Sequence, residues 1–306
     1  MRFLFLLFVA ASATAQYSRT NLRTEAVSNI YRFEKLQLYP IRASQAFLDQ
    51  HRTVSNYTSL QEGLQTNRIA VTEVSGGDVN KLFVENTSSD TVMILAGEVI
   101  QGGKQDRMLA QDVILPPGSG KMDVAVFCVE QGRWNAGKGD MSFKQYYNIS
   151  TSEVRKAATI KKDQREVWKK VAETTEKNNA KSSSGTLTEL RNSSSYSDEL
   201  KKYLAHYSSL LAPEPDVIGV IAVTGDVILG CDMFATHDIF KKHYPNLLNS
   251  YASEAITSGK PATVPFDKVE SYLDAIIKDE SRQEEEVEKK GTILKQGKKK
   301  IHISTF

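Results

Sequence analysis

The 306-residue chain is 40% hydrophobic and 25% charged, a composition typical of a globular protein with a core of ordinary size. Its 39 basic and 37 acidic side chains leave a formal net charge of +2. This near-balance gives no electrostatic reason to expect a nucleic acid or an anionic membrane as a partner.

The start of the chain has the pattern of an export signal. Arg2 supplies a positive charge, residues 3–11 form an apolar run, and Ala13-Thr14-Ala15 matches a small-residue cleavage site. The apolar run is shorter than the roughly 20 residues that span a bilayer, and no later segment approaches that length. We therefore predict a signal peptide at 1–15 cleaved after Ala15, a periplasmic or secreted product, and no integral membrane segment in the mature chain.

A polar leader at 16–30 precedes a β-rich region at 31–150. Short apolar or alternating runs recur through this region, separated by turn residues such as those at 75–78 and 116–118. Short strands between turn signals are typical of hairpins and meanders. The pattern therefore predicts a mainly antiparallel β core.

Residues 151–306 combine helical patterns with hairpins. The spacing of apolar residues predicts helices over 152–177, 196–211, 238–258 and 266–286. The third of these contains Pro245, which predicts a kink or a break near Tyr244. The Ser-rich segment 181–195 is predicted to be a loop or a disordered insertion.

Two hairpins complete this half of the chain. Continuously apolar runs flank Gly225-Asp226 and predict a hairpin that is buried on both faces. The C-terminal tail is predicted to turn at Gln296-Gly297, with the three lysines at 298–300 protecting a solvated sheet edge. We therefore predict one α+β domain over 31–306, with a mainly antiparallel β core, a helical segment and a C-terminal returning hairpin.

The first cluster of candidate site residues lies around Gly102-Gly103, a pair that suits a two-residue hairpin turn because both positions can take positive φ. That turn places Glu98 opposite Arg107, with Gln105 on the same face. One interpretation is a cross-strand ion pair on a half-exposed sheet. The other is that Arg107 and Gln105 bind an anionic or hydroxyl-rich ligand while Glu98 positions the arginine.

The second cluster follows an apolar strand and contains Glu130, Arg133 and Trp134. A guanidinium beside an indole suits a sugar or a base. The alternative is that Trp134 packs under a loop and Arg133 pairs with Glu130. Glu98 and Glu130 are also the candidate catalytic carboxylates of a glycosidase, a role that requires them to lie roughly 5 to 10 Å apart.

Metal and cofactor chemistry finds little support. The β-rich region has no histidine after His51, and the six-residue spacing of His237 and His243 does not place both on one helix face. The glycines do not match a phosphate-binding loop, and there is no nucleophile-elbow motif. We therefore expect no metal and no cofactor. Cys128 and Cys231 fit either a disulfide, which export permits, or two small buried side chains.

The stretches GEVIQGGKQDR, ILPPGSG and VFCVEQGRW resemble the domain associated with ADP-ribosylglycohydrolases (ARG) and rhodanese-phosphatase-superfamily proteins. VIGVIAVTGDVILGCDMF, HYPNLLNSYASEA and KIHISTF are similar in order and character, so the resemblance covers most of the chain from about Leu36. The family name implies an association with proteins of NAD and ADP-ribose metabolism and carries no defined reaction. The motif positions that the resemblance assigns here are Glu98, Gln105, Arg107, Glu130, Arg133 and Trp134.

Three functional hypotheses follow from the sequence. The leading one is an exported ligand-binding or accessory domain with a polar Glu/Arg/Gln site for a small molecule, such as a nucleotide-sugar or an ADP-ribose-like ligand. The second is a hydrolase of a glycosidic or ribosyl bond that uses Glu98 and Glu130. The third is a structural envelope protein, which requires no pocket and predicts a flat surface over the motif positions.

Overall fold

The structure, a computed structural model, describes residues 16–54, 56–74, 78–133 and 141–306. The strands are β1 Leu22–Arg23, β2 Arg32–Phe33, β3 Leu36–Ala43, β4 Thr58–Ser59, β5 Ile69–Glu73, β6 Lys81–Asn86, β7 Val92–Ile94, β8 Glu98–Gly102, β9 Arg107–Leu109, β10 Val113–Leu115, β11 Gly120–Cys128, β12 Phe143–Ile149, β13 Val217–Thr224, β14 Val227–Phe234, β15 Gly291–Gln296 and β16 Lys299–Thr305. The helices are α1 Gln45–His51, α2 Leu60–Gln65, α3 Ser152–Lys156, α4 Gln164–Lys177, α5 Ser194–Tyr207, α6 His237–Ser258, α7 Phe266–Ile277 and α8 Glu280–Glu288. Ala157–Lys161 forms a π-helical segment, and Asn29–Tyr31 and Leu187–Asn192 form 3-10 helices.

A seven-stranded sheet joins the first and last parts of the described chain, and we call it the terminal sheet. Its order is β1-β3-β13-β14-β16-β15, with β2 paired to β3, and all its pairs are antiparallel. Side chains of α5 and α6 pack on one face, and side chains of α1 and α7 pack on the other. Every residue of β13 is consequently buried, which confirms the hairpin predicted around Gly225-Asp226.

A six-stranded antiparallel sheet, the central sheet, has the order β12-β8-β9-β11-β6-β5. An isolated bridge between Thr72 and Ser142 brings its two edge strands together, so the sheet curls around its own apolar core. A small sheet of order β10-β7-β4 and helix α2 contribute to the same core. The predicted α+β class, the antiparallel β core and the returning hairpin β15–β16 are confirmed.

Two helix predictions need correction. The predicted helix over 152–177 divides into α3, the π-helical segment and α4, because Lys162 takes φ +52° and the Asp163 side chain caps a new helix start. The predicted helix over 266–286 divides into α7 and α8 at Asp279, which likewise caps α8. By contrast, α6 continues as one helix through Pro245, since its neighbours on the buried face pack into the core and outweigh the lost hydrogen bond.

The leader and the lysine-rich tail are more deeply embedded than predicted. Tyr17 is fully buried, and Leu22 belongs to β1 of the terminal sheet. The tail strand β16 lies between β14 and β15 from His302 onward, so it is not an edge strand of the sheet. Lys300 precedes that pairing but is also buried, and it donates to Gln283 Oε1 at 2.6 Å. The lysines at 298–300 therefore do not mark the edge strand at this end of the sheet, which is β15. The sequence pattern could not show this, because strand order depends on segments that lie far apart in the chain.

Two further outcomes concern connections along the chain. The Ser-rich segment 181–195 includes the 3-10 helix, whose Leu187 and Leu190 are buried, so it is a packed part of the fold. Cys128 in β11 and Cys231 in β14 are both buried and free, so the disulfide alternative is wrong. The predicted signal peptide, 1–15, lies outside the described residues.

Candidate functional site

Two polar regions stand out, and the first contains two of the predicted site residues, Glu130 and Arg133. It is a cleft of about 340 Å³, which we call the Arg133 cleft. Its lining residues are Gln101, Asp106, Glu130, Arg133, Thr186, Thr188, Glu189, Arg191 and Asn192. The end of β11, the β8–β9 turn and the 3-10 helix Leu187–Asn192 therefore form its walls.

Backbone contacts join the Ser-rich segment 181–195 to the residues that follow β11. Glu130 and Thr186 form an isolated β-bridge, and Gly132 N donates to Ser184 O at 2.7 Å. A Cβ atom on Gly132 would lie 2.8 Å from the carbonyl oxygen of Ser183. A glycine at this position therefore permits the close approach that forms the cleft.

Arg133 forms most of the contacts in the cleft. Its Nε donates to Glu130 Oε2 at 2.8 Å, and its Nη2 lies 3.1 Å from Asp106 Oδ1. Nη1 and Nη2 also donate to the carbonyl oxygens of Gly103 and Gly102. Burial disfavours the charged guanidinium, but the Glu130 and Asp106 carboxylates outweigh it and raise the pKa of Arg133. The sequence alternative in which Arg133 pairs with Glu130 is therefore the arrangement present.

Asp106, which the sequence analysis missed, accepts hydrogen bonds at both oxygens. Oδ1 accepts from Gly102 N at 3.3 Å as well as from Arg133. Oδ2 accepts from the hydroxyls of Thr186 and Thr188 at 2.8 and 3.1 Å. Glu130, by contrast, uses only Oε2, and its Oε1 accepts no hydrogen bond from the described residues. Within the described part of the chain, Glu130 Oε1 is thus an acceptor open to a ligand.

Gln105 and Arg107 lie behind the cleft rather than in it. Gln105 Nε2 donates to the Glu130 carbonyl oxygen at 2.6 Å, and Arg107 Nη1 donates to the Gln105 carbonyl oxygen at 2.9 Å. Arg107 is fully buried, and its carboxylate partner is Glu73, 3.6 Å from Nη2. Its Nε and Nη2 form no hydrogen bond within the described part of the chain.

The predicted pairing of Glu98 with Arg107 is wrong. Gly102 and Gly103 do take positive φ, as predicted, but the strands pair Ile100 with Arg107, two residues away from the predicted register. The turn alone did not fix this register because β9 also pairs with β11. Trp134 lies outside the described residues.

Glu98 belongs to the interior of the protein. It is fully buried, and its two oxygens accept from Leu95 N at 2.8 Å and from the Tyr146 hydroxyl at 3.1 Å. Burial raises the pKa of Glu98 to about 8, and these two hydrogen bonds oppose it only in part. Among the described residues, Glu98 and Glu130 share no hydrogen-bond partner.

The second polar region, the Asp232 network, is buried where the β9–β10 loop, α3 and α6 meet the terminal sheet. It consists of Asp112, Arg155, Asp232, Tyr251, His302 and Ser304. The imidazole of His302 lies between two carboxylates, with Nδ1 2.9 Å from Asp112 Oδ2 and Nε2 3.0 Å from Asp232 Oδ1. Both ring nitrogens must carry protons to donate in this geometry, so His302 is an imidazolium.

Arg155 completes the charge balance of the network. Its Nη2 and Nη1 lie 3.2 and 3.4 Å from the two oxygens of Asp232, and Nη2 also donates to Ser304 Oγ at 3.1 Å. Tyr251 donates its hydroxyl to Asp232 Oδ2. Two carboxylates therefore face two cations, and Arg155, Asp232 and His302 are all fully buried.

The pKa directions follow from this pairing. Burial opposes ionisation of Asp232, but the Arg155 charge and the His302 hydrogen bond outweigh it and hold the pKa of Asp232 well below its usual range. Burial likewise disfavours the charged form of His302, yet Asp112 and Asp232 raise its pKa to about 9. The pKa of the nearby His243 shifts in the opposite direction, because burial lowers it to about 3.

Asp112 connects the network to a cavity of about 970 Å³, which we call the Asp112 cavity. Besides His302, Asp112 accepts from Ala96 N at 2.7 Å and from Thr292 Oγ1 at 3.1 Å. The cavity is lined by Asn80, Ala110, Gln111, Asp112, Ala125, Val126, Phe127, Ala158, Thr159, Ile160, Lys162, Gln164, Glu288, Gly291, Thr292 and Ile293. The central sheet, the π-helical segment and β15 therefore meet around it.

The sequence matches the family model of the ARG and Rhodanese-Phosphatase-superfamily-associated Protein domain over residues 24–304. The chain belongs to this family. The resemblance inferred from the motif stretches is thereby confirmed, and the matched range contains both polar regions. No curated protein and no solved structure is significantly similar to the chain. Within the described residues of this family member, no helix is both long and apolar enough to cross a membrane.

The sequence did contain a signal for the missed network. Asp232 interrupts the apolar strand VILGCDMF, and His302 stands in the apolar tail strand KIHISTF. A charged residue in a buried strand requires a partner, because burying an unpaired charge is costly. That requirement indicates a partner somewhere but does not identify Arg155 or Asp112, which lie 77 and 190 residues from their contacts.

Proposed function

We propose that this chain is an exported accessory domain that binds a small hydroxyl-bearing molecule, a nucleoside or a sugar, in the Asp112 cavity. The observation that carries the proposal is the position of an ionised, pre-oriented carboxylate at the wall of this cavity of about 970 Å³. Ligand sites are commonly concave spaces of roughly 300–1,000 Å³ with apolar walls and a few placed polar groups. A structural envelope protein needs no such cavity.

The cavity lining suits a neutral ligand. The side-chain amides of Asn80 and Gln111 form no hydrogen bond with other described residues, so both can donate and accept. Phe127, Ile160 and Ile293 supply an apolar surface against which a ring can pack. The lining also includes Lys162 and Glu288, whose charges are opposite in sign. Together with the amides, the Asp112 carboxylate and the apolar groups, it matches a molecule with a flat ring and several hydroxyls.

The hydrogen-bond count of Asp112 also favours a hydroxyl over a cation. The carboxylate has about four acceptor positions, and Ala96, Thr292 and His302 occupy three of them. Its charge is already balanced by the imidazolium of His302. One further neutral donor therefore completes the coordination of Asp112 without adding an unpaired charge.

A binding screen of the mature protein tests the proposal. Adenosine, ribose, glucose, ADP-ribose and orthophosphate are compared by thermal shift, since a ligand that binds only the folded state raises the melting temperature. Gln111→Ala should weaken binding of the best ligand about tenfold, the value of one good hydrogen bond. Asn192→Ala, on the wall of the Arg133 cleft, should leave it unchanged.

The Arg133 cleft is the second candidate, favoured by the open acceptor Glu130 Oε1 and by the exposed Arg191. Arg191 donates to Gln101 Oε1 and lies over the Tyr147 ring, 5.0 Å from its centroid. Such a site would take a sugar that carries an anionic group, as in nucleotide-sugars and ADP-ribose. In the same screen, a loss of binding with Asn192→Ala and none with Gln111→Ala would show that the ligand binds in the Arg133 cleft rather than in the Asp112 cavity. A screen in which no compound shifts either variant or the parent would refute ligand binding in both places.

The hydrolase alternative keeps one supporting feature and has one difficulty. The raised pKa of Glu98 is the property of a general acid. However, the carboxylate that influences Glu98 electrostatically is Asp112, and Glu130 lies in the other polar region. Activity on a ribosyl or glycosidic substrate that survives both Glu98→Gln and Glu130→Gln would remove this alternative.

Export is the remaining part of the proposal. It is supported by the sequence pattern of residues 1–15 and by the burial of Tyr17, immediately after the first residue of the proposed mature chain. Expression of the full chain in an exporting host should yield a protein that begins at Gln16 outside the cytoplasm. Retention of the full-length mass in the cytoplasm would contradict it.

A further inference from the structure

Gln16 is held by the C-terminal hairpin through its side-chain amide. Its Nε2 donates to the Lys298 carbonyl oxygen at 2.8 Å, and its Oε1 accepts from Lys300 N at 2.9 Å. The pairing of β14 with β16 begins only at His302. At Lys298 and Lys300, where β14 does not pair with the hairpin, the side-chain amide of Gln16 therefore makes the hydrogen bonds that a neighbouring strand would make.

The backbone of Gln16 is also positioned. Its nitrogen lies 3.2 Å from Glu280 Oε1, and its carbonyl oxygen accepts from Asn21 Nδ2 at 3.3 Å. Glu280 is the first residue of α8, and its side chain is 35% exposed. The Lys300 ammonium lies 3.5 Å from the same Glu280 oxygen.

Tyr17 anchors the segment that holds Gln16 in place. It is fully buried and packs edge-to-face on Phe47, with ring centroids 5.2 Å apart. Its hydroxyl donates to the Lys300 carbonyl oxygen at 3.4 Å, and its own carbonyl accepts from Gln283 Nε2 at 3.3 Å. A rigid neighbour fixes residue 16 relative to Glu280.

We propose that Glu280, Lys298 and Lys300 form a socket for the N-terminal residue of the mature protein, and that the α-ammonium of Gln16 pairs with Glu280. The inference rests on the export proposed above. Hydrolysis of the Ala15–Gln16 peptide bond by an export endopeptidase adds water across it. The hydroxyl joins the Ala15 carbonyl carbon to give a carboxylate, and the released nitrogen becomes an ammonium at neutral pH. Cleavage thus replaces a neutral amide beside Glu280 with a cation.

The socket also protects the new terminus. An N-terminal glutamine can cyclise when its amine attacks its own side-chain amide carbon and releases ammonia. In the socket, the amine is directed to Glu280 and the amide is held by Lys298 and Lys300. Cyclisation would expel Nε2, which breaks the contact with the Lys298 carbonyl oxygen, and would remove the charge of the amine beside Glu280. Folded mature protein should therefore cyclise more slowly than the chain unfolded in urea.

Chains with defined N-termini test the socket independently of export. A chain that begins at Gln16 should have a higher denaturation midpoint than one that begins at Ala15, and its α-amine pKa should exceed the usual value of about 7.7–8.0. In a Glu280→Gln background, the two chains should unfold at the same midpoint. Glu285→Gln, on the exposed side of α8 where Glu285 pairs with Lys289, serves as the matched control and should preserve the difference.

The inference and the export proposal fail in different ways. Equal midpoints for the Gln16 and Ala15 chains, together with an unshifted amine pKa, would overturn the socket even if the protein is exported. A difference that persists in Glu280→Gln would overturn the pairing with Glu280. Equal rates of ammonia loss from folded and unfolded chains, followed by mass spectrometry, would overturn the protection. Export itself is judged by the location and mass of the protein made in cells.

Discussion

The Arg133 cleft and the Asp232 network use the same chemistry in different surroundings. Each sets an arginine against carboxylates, but the Arg133 side chain is 35% exposed and that of Arg155 is fully buried. Water and salt screen the first, while the second must balance its charges internally. Burial, rather than the residue types, therefore decides how much each cluster contributes to stability.

The two regions also differ in what they join. The Arg133 cleft connects the end of β11 with a neighbouring turn and the Ser-rich segment. The Asp232 network connects the β9–β10 loop, α3, α6 and the terminal sheet through single side chains. We therefore expect changes in the network to affect the whole fold and changes in the cleft to stay local.

The largest effect is expected for Asp232→Asn. The substitution keeps the shape of the side chain but leaves Arg155 and His302 as buried cations without a shared anion. A loss of about 3–5 kcal/mol in the free energy of unfolding should be measured by urea denaturation. The control is Asp90→Asn, which breaks the exposed pair with Arg68 and should cost at most about 1 kcal/mol. Similar losses in the two variants would show that the network is not held by its charges.

The pH dependence of stability should come next in size. The folded pKa of Glu98 is raised from 4.5 to about 8, and that of His302 from 6.5 to about 9. Both groups bind protons more tightly in the folded state, so their stabilisation is complete below 4.5 and 6.5 and is lost as pH rises through 8 and 9. Asp112 and Asp232 have lowered pKa values, so their stabilisation is lost as pH falls below about 3.8.

Glu98→Gln separates these contributions. Between pH 5 and 6 the unfolded state releases the Glu98 proton that the folded state keeps, which lowers stability by up to about 1.4 kcal/mol per pH unit. His243, whose folded pKa is lowered to about 3, is protonated only on unfolding in this interval and therefore contributes a rise of similar size. Without the Glu98 contribution, the variant should gain stability over that interval through His243 and decline only from about pH 6.5, as His302 begins to lose its proton on unfolding. Urea denaturation across pH 5–9 measures both profiles. An unchanged profile in the variant would mean that Glu98 is ionised in the folded protein.

Gly97→Ala tests the packing around Arg155. Gly97 has φ +95°, and a Cβ atom there would lie 2.6 Å from Arg155 Cγ. Backbone strain and the clash should together cost about 2–4 kcal/mol. Gly118→Ala is the control, because Gly118 has φ +57° and nothing lies within 4 Å of its added Cβ, so about 1 kcal/mol of strain is expected. Equal losses would indicate that Arg155 can move without consequence.

The smallest effect is expected for Arg133→Gln in the cleft. It should cost about 1–2 kcal/mol at low salt, since Asp106 keeps its hydrogen bonds from Thr186 and Thr188. In 1 M salt, where the Debye length is about 3 Å, the cost should shrink. The cost of Asp232→Asn should not change with salt. A loss of stability in Arg133→Gln that does not change with salt would show that the charges of this cleft are as poorly screened as those of the Asp232 network.

Local features of the candidate site were predictable from the sequence. Glu130 and Arg133 are three residues apart and form the expected ion pair, and the glycines at 102–103 have the expected positive φ. The register of the β8–β9 hairpin was not predictable from its turn. Pairing with β11 and the position of Glu73 instead place Arg107 away from Glu98.

The sequence by itself determined the α+β class, the returning hairpin and the family, because strand periodicity, turn residues and contiguous motifs are local properties of the chain. Only the tertiary structure decided that Asp112 meets His302, that Arg155 meets Asp232, and that Gln16 meets Glu280. These contacts span 190, 77 and 264 residues. The physical reason is that a buried charge demands a partner without specifying which one, and strand order and packing make that choice.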